Sequence, residues 1–176
     1  MINRFASDSK LYVTKKSSYE LLDLNDLIRS SIKFIEHMES LERISLQKKL
    51  TPKLPEVRAN AGDISLVIVN LLTNSLDSMP DGGKLLIKSQ FCKEHESCVQ
   101  LSISDTGCGI KEDEMDKIYS PFFTTKDKLK GMGLGLAISK RIIEDHDGKI
   151  KVVSSLGEGA TFIVCFPAAD KGLPNN

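Results

Sequence analysis

The sequence has no surplus of charge of either sign: 24 Lys and Arg are matched by 24 Asp and Glu. Binders of nucleic acid or other polyanions draw affinity from a basic excess, so that class receives no support. No apolar run approaches the length of a membrane span. The longest, Leu66 to Leu72, is interrupted by Asn70. A secretory leader is missing as well, since Met1 to Lys10 carries charges early and has no apolar core. The four cysteines (Cys92, Cys98, Cys108, Cys165) form no Cys-x-x-Cys pair. Incidental thiols in a reduced, cytoplasmic setting are the expectation. Internal repeats and low-complexity tracts are also lacking. What remains is a chain of 176 residues, 40% hydrophobic and 27% charged. That suits one soluble domain with a short appendage. A chain of this size buries roughly 70% of its unfolded surface and needs no disulfide or metal to fold.

Residues 1–19 differ from the rest, being polar and rich in Lys and Ser. They read as the end of an upstream helix followed by a linker. Residues 20–170 form the expected domain, with 171–176 as a disordered tail. Leu24, Leu27, Ile28, Ile32 and Ile35 recur at helical spacing, with Asn25 or Asp26 as cap. Ile44 to Leu50 alternates like a strand. Asp63 to Met79 is the strongest helix, with Ile64, Val67, Ile68, Leu71, Leu72, Ser75 and Met79 on one stripe. Pro80-Asp81-Gly82-Gly83 stops it. Strands are expected over Lys84 to Phe91 and Val99 to Asp105, around a polar turn at Lys93 to Glu96. A short helix follows over Lys111 to Ile118. Leu134 to His146 is helical again, with Leu136, Ile138, Ile142 and Ile143 inward. Lys149 to Ser155 and Ala160 to Phe166 make a hairpin. The order predicts an α+β sandwich: one mixed sheet covered on one face by three helices.

Four segments carry candidate chemistry. Asn70, Asn74 and Asp77 fall on one narrow stripe of the long helix, clear of the apolar stripe. Amide and carboxylate oxygens suit Mg²⁺, which takes one or two protein ligands and completes its shell with water and phosphate. A solvated polar face would look the same. Asp105-Thr106-Gly107-Cys108-Gly109-Ile110 closes a strand. A carboxylate there can accept from the exocyclic amine of adenine and repels guanine, which presents an acceptor. An Asx turn is the plainer alternative. Gly131-Met132-Gly133-Leu134-Gly135-Leu136 leads into a helix, where exposed backbone N–H groups attract phosphate. It is neither a P-loop nor a dinucleotide fingerprint. Tyr119 to Lys126 reads as a hinged lid, with Lys126 near the phosphates and Lys128 and Lys130 solvated. His37, His95 and His146 read as structural or solvated.

In chain order the four segments resemble the N (Asn70 to Asn74), G1 (Asp105 to Gly109), F (Tyr119 to Phe122) and G2 (Gly131 to Gly135) boxes of the ATP-binding domain of two-component sensor histidine kinases. Gly157-Glu158-Gly159-Ala160-Thr161 resembles the closing G3 segment. Pro121 to Lys126 and Asn74-Ser-Leu-Asp-Ser-Met79 look most like the nitrogen-regulatory subgroup. The resemblance implies a Bergerat-type fold in the GHKL superfamily that binds ATP and Mg²⁺. By position, Asn74 would ligate Mg²⁺, and Asn70 and Lys126 would stand beside the phosphates as catalytic groups. Asp105 would receive the adenine amine, with Gly107, Gly109, Ile110 and Thr161 around the base. Gly131, Gly133, Leu134, Gly135 and Leu136 would face the triphosphate. Phe122, Thr125, Lys126 and Asp77 would complete the nucleotide contacts. The family's reaction passes the γ-phosphoryl of ATP to a histidine on a dimerisation domain, and from there to a response regulator. The chain departs from the family at Asp77, where many members carry a basic residue. It also contains no His-Glu/Asp-x-x-x-Pro-like acceptor segment, so its target would lie on a separate domain. The related gyrase B and MutL ATPases carry a Glu where this chain has Asn70, and an amide is no general base. Two other readings use the same residues: a free-standing GHKL-type ATPase, and a nucleotide-sensing interaction module.

Overall fold

A computed structural model describes residues 18–36, 39–92, 97–124 and 132–169. Most of the expected linker and all of the tail lie outside them, as do the Lys93–Glu96 turn, His37 and His95. So do Thr125, Lys126, Lys128, Lys130 and Gly131.

The elements are β1 (Glu20–Leu22), α1 (Leu24–Ile35), β2 (Ile44–Leu50), β3 (Val57–Ala59) and α2 (Ala61–Asp77). They continue as β4 (Gly83–Cys92), β5 (Cys98–Asp105), α3 (Gly135–Asp145), β6 (Lys149–Ser155) and β7 (Gly159–Pro167). Five strands form one sheet in the order β2-β4-β5-β7-β6, with β2 parallel to β4 and the other pairs antiparallel. The short strands β1 and β3, unforeseen in the sequence, pair with each other.

Strand alternation decides what the sheet covers. Leu85, Ile87, Val99, Leu101, Ile103, Phe162, Val164 and Phe166 are buried on one face. Helix α2 packs between α1 and α3 against that face. Its buried stripe contains Ile64, Val67, Ile68, Leu71, Leu72, Ser75 and Leu76. Each large apolar side chain buried this way contributes about 1.5–3 kcal/mol. The mixed sheet under three helices is the architecture expected.

Three local expectations are corrected. The cap of α1 is Asp23, whose carboxylate accepts from the Asn25 backbone N–H at 2.7 Å. Asn25 is instead buried: it donates to the Thr51 carbonyl and accepts from the Ser89 hydroxyl at 2.6 Å. Lys111 to Ile118 holds only a 3-10 turn at Glu112–Glu114, because Ile118 alone is buried there and no apolar stripe anchors a helix. In α3, Ile138 is 43% exposed and Ser139 takes the inward position.

Candidate functional site

Strand β5 delivers Asp105 to the edge of the helical layer, where it is 7% exposed. Its Oδ1 accepts from the Gly107 N–H at 2.9 Å and the Ala160 N–H at 3.3 Å, and the Ser78 hydroxyl lies 3.1 Å away. All of these meet Oδ1, and no described donor bonds Oδ2. The turn after Asp105 lies tight against the end of α2. A Cβ on Gly107 would collide with the Ser78 hydroxyl and carbonyl.

Asp105 borders a cavity of about 490 Å³, within the range of small-molecule sites. Asn74, Asp77 and Ser78 line it from the last turns of α2, and Gly109 and Ile110 from the turn after β5. Gly133, Leu134, Gly135 and Leu136 border it at the start of α3. The N-cap of that helix, Leu134, makes no side-chain capping bond. Its first-turn N–H groups therefore form the kind of anion-attracting end that a helix presents when uncapped. Three segments far apart in sequence thus converge on one cavity: a buried carboxylate, the amide and carboxylate side chains of Asn74 and Asp77, and an uncapped helix start.

Other candidates stand elsewhere. Asn70 does not line the cavity; its Nδ2 donates to the Gly135 carbonyl at 3.4 Å and the Ser139 hydroxyl at 3.3 Å. It ties α2 to the first turn of α3. Gly107 contributes through its N–H to Asp105 rather than as lining. Thr161 is corrected to the opposite sheet face, where its hydroxyl donates to Ser104 Oγ at 2.9 Å. Its neighbours Ala160 and Phe162 line the cavity instead, as a period of two requires. Phe122 is 74% exposed, with φ of 67°. Its N–H donates to the Gly133 carbonyl at 2.9 Å, while the next residue, Phe123, faces the cavity.

Sequence reasoning missed Ser78, Cys108, Glu114, Ile118, Phe123, Thr124, Met132, Ala160 and Phe162 among the lining residues. Ser78 was findable, lying one helical turn beyond Asn74. His146 is structural, as expected. It is buried, its Nδ1 lies 2.7 Å from the Ile142 carbonyl, and its Nε2 accepts from the Asn60 N–H.

Tyr119 occupies the first F-box position. Burial pushes its phenol up to about 12, and its hydroxyl has no hydrogen-bond partner among the described residues. Lys140 Nζ sits 5.3 Å from the ring centroid. A buried hydroxyl left unpaired costs about 1–3 kcal/mol, and Phe would keep the ring and the cation–π contact. Tyr119→Phe is therefore expected to raise stability by up to about 1–3 kcal/mol in denaturant unfolding. A clear loss would show that the hydroxyl has a partner in solution.

Comparison with known proteins agrees with this fold. The family model described as histidine kinase-, DNA gyrase B-, and HSP90-like ATPase matches residues 59–170. Sensor histidine kinase ZraS of Escherichia coli (strain K12) is 32% identical over 167 residues, which cover 94% of this chain and 35% of that protein. The catalytic domain of histidine kinase ThkA superposes with a TM-score of 0.74 at 32% identity, covering 85% of this chain and 95% of that one. ThkA in complex with the response regulator TrrA gives 0.71 at 31% identity, covering 86% of this chain and 42% of that chain. Full-length ShkA in complex with AMPPNP gives 0.76 at 25% identity, covering 93% and 34%. The chain spans about a fifth to a third of the length of the curated relatives it matches.

Proposed function

We propose that this chain, which belongs to the histidine kinase-, DNA gyrase B- and HSP90-like ATPase family, is the ATP-binding catalytic domain of a sensor histidine kinase. It would bind Mg-ATP and hand the γ-phosphoryl group to a histidine on a separate dimerisation domain. A response regulator would receive it next. The response regulator is carried to this chain from the ThkA–TrrA complex, as nucleotide binding is from the ShkA–AMPPNP complex. Within the family we place the chain nearest the nitrogen-regulatory subgroup, on the Pro121 to Lys126 run and the Asn74 to Met79 variant. A cytoplasmic location fits this role. Among the described residues no helix is long and apolar enough to cross a membrane.

One observation carries the reading: Asp105, whose Oδ2 has no described donor, borders a cavity that the uncapped start of α3 also lines. In this reading Oδ2 accepts from the adenine amine and turns guanine away. The first-turn N–H groups of α3 hold the phosphates. Asn74 would supply an oxygen to Mg²⁺, with Asp77 beside it in the cavity lining; both offer the hard oxygen donors that magnesium requires. When bound, Mg²⁺ neutralises phosphate charge and orients the triphosphate. Asn70 offers no base for water, and its amide is already committed to α3. The γ-phosphoryl is thereby kept for an imidazole nitrogen, which bonds to phosphorus as the β–γ bridging bond breaks and ADP leaves.

The experiment mixes the chain with a histidine-bearing dimerisation domain and labelled Mg-ATP. Acid-labile, base-stable label on the histidine is expected, and Asn74→Ala should reduce it to near background. Steady ADP release without an acceptor would favour an ATPase. ATP binding with no transfer to any histidine offered would leave only a nucleotide-sensing module.

A further inference from the structure

The sheet face away from the helices carries three free thiols at one end. Cys92 ends β4 and Cys98 begins β5, directly opposite each other in the ladder. Cys165 of β7 lies opposite Gln100, two positions along on the same face. All three are half-buried, while the intervening Val99, Val164 and Phe166 point into the core. Cys92 Sγ donates to Gln100 Oε1 at 2.7 Å. Strand β5 places Cys98 between the two strands that carry the other thiols. Among the described residues no group of His, Cys, Asp or Glu is arranged to hold a metal ion, so the thiols have chiefly one another as reaction partners.

Register decides which pair can bond. Directly opposed residues of an antiparallel ladder have Cα atoms about 4.5–5.5 Å apart, inside the window of roughly 4.4–6.8 Å that a disulfide needs. A diagonal pair such as Cys98 and Cys165 stands about 7–8 Å apart, beyond bridging without backbone movement. We propose that Cys92 and Cys98 form a reversible cross-strand disulfide, making this end of the β4–β5 hairpin an oxidant-responsive modification site.

The oxidant is a small-molecule disulfide, and the step balances by exchange. The Cys92 thiolate attacks one sulfur of the reagent, expelling one thiol and leaving a mixed disulfide. Cys98 then loses its proton to solvent and attacks the Cys92 sulfur, expelling the second thiol. Two protein thiols become one disulfide, and one reagent disulfide becomes two thiols.

Burial, then the thiols of Cys165 and Cys92, push Cys98 up to about 12. Closure should therefore be slow at neutral pH and quicken as pH rises and the Cys98 thiolate fraction grows. Removing Cys165 removes part of that opposition, so Cys165→Ser should close faster. The site lies at the opposite end of β5 from Asp105, seven residues and roughly 23 Å away. The bond should thus leave ATP affinity unchanged while raising Tm by a few degrees through the shorter unfolded-chain loop.

The test treats the whole chain with glutathione disulfide between pH 7 and 9, followed by mass spectrometry and peptide mapping. Expected are the loss of two hydrogens, a link between the peptides holding Cys92 and Cys98, and reversal by dithiothreitol. Cys98→Ser should leave only glutathione adducts, and Cys165→Ser should keep the link. Glutathione adducts without an internal link in the parent chain, or a link mapped to Cys98 and Cys165, would each overturn the proposal.

Discussion

Asp105→Asn is expected to weaken ATP binding by roughly ten- to a hundredfold while leaving the fold intact. The hydrogen bonds around Oδ1 determine the outcome. The N–H groups of Gly107 and Ala160 both donate to that atom. In the variant they would hold the amide oxygen in place, so the new NH₂ group takes the position of Oδ2. A donor then faces the adenine amine, itself a donor. Losing a hydrogen bond to a charged group costs about 1.5–3 kcal/mol, which is that fold-change in affinity. Calorimetric titration with ATP reads the effect, and a thermal melt of the nucleotide-free variant checks the fold. Unchanged affinity would remove Asp105 from the base-binding role.

Gly159→Ala is expected to destabilise the domain by roughly 2–4 kcal/mol and to weaken ATP binding with it. Gly159 opens β7 with φ of 86°, and a Cβ there would run into the backbone carbonyl of Asp105. Backbone cannot turn aside as a side chain can. The clash would push apart the two strands that let Ala160 N–H reach Asp105. Gly157 is the matched control: its φ is 82°, yet a Cβ would meet nothing within 4 Å. Gly157→Ala should cost only the conformational strain, about 1 kcal/mol. Equal losses in urea unfolding of the two variants would show that strain alone matters at both positions and that the Asp105 contact is not critical.

The parts of the site that rest on backbone geometry were legible in the sequence. Glycines at 107, 109, 133 and 135 mark where chain must pass close to chain or leave N–H groups open. The period of α2 placed Asn74 and Asp77 on one wall. What escaped depends on side-chain direction. Thr161 was chosen for its hydroxyl, yet a strand alternates faces, and Ala160 and Phe162 hold the inward positions. Phe122 leaves the cavity through a positive φ that no aromatic residue advertises. Asn70 shares a stripe with Asn74, but α3 lies over its end of α2 and takes up its amide. Asn25 resembled a cap, whereas its real partners, Thr51 and Ser89, are distant in sequence.

One buried carboxylate, an amide-bearing helix and an uncapped helix end are proposed to hold a single purine nucleotide. Parallel calorimetric titrations of the chain with ATP and with GTP, each with magnesium, test this most directly. Saturable heat with ATP and none with GTP over the same concentrations is the expected result, because guanine places a carbonyl where Asp105 needs a donor. Equal binding of both nucleotides, or heat with neither, would contradict it.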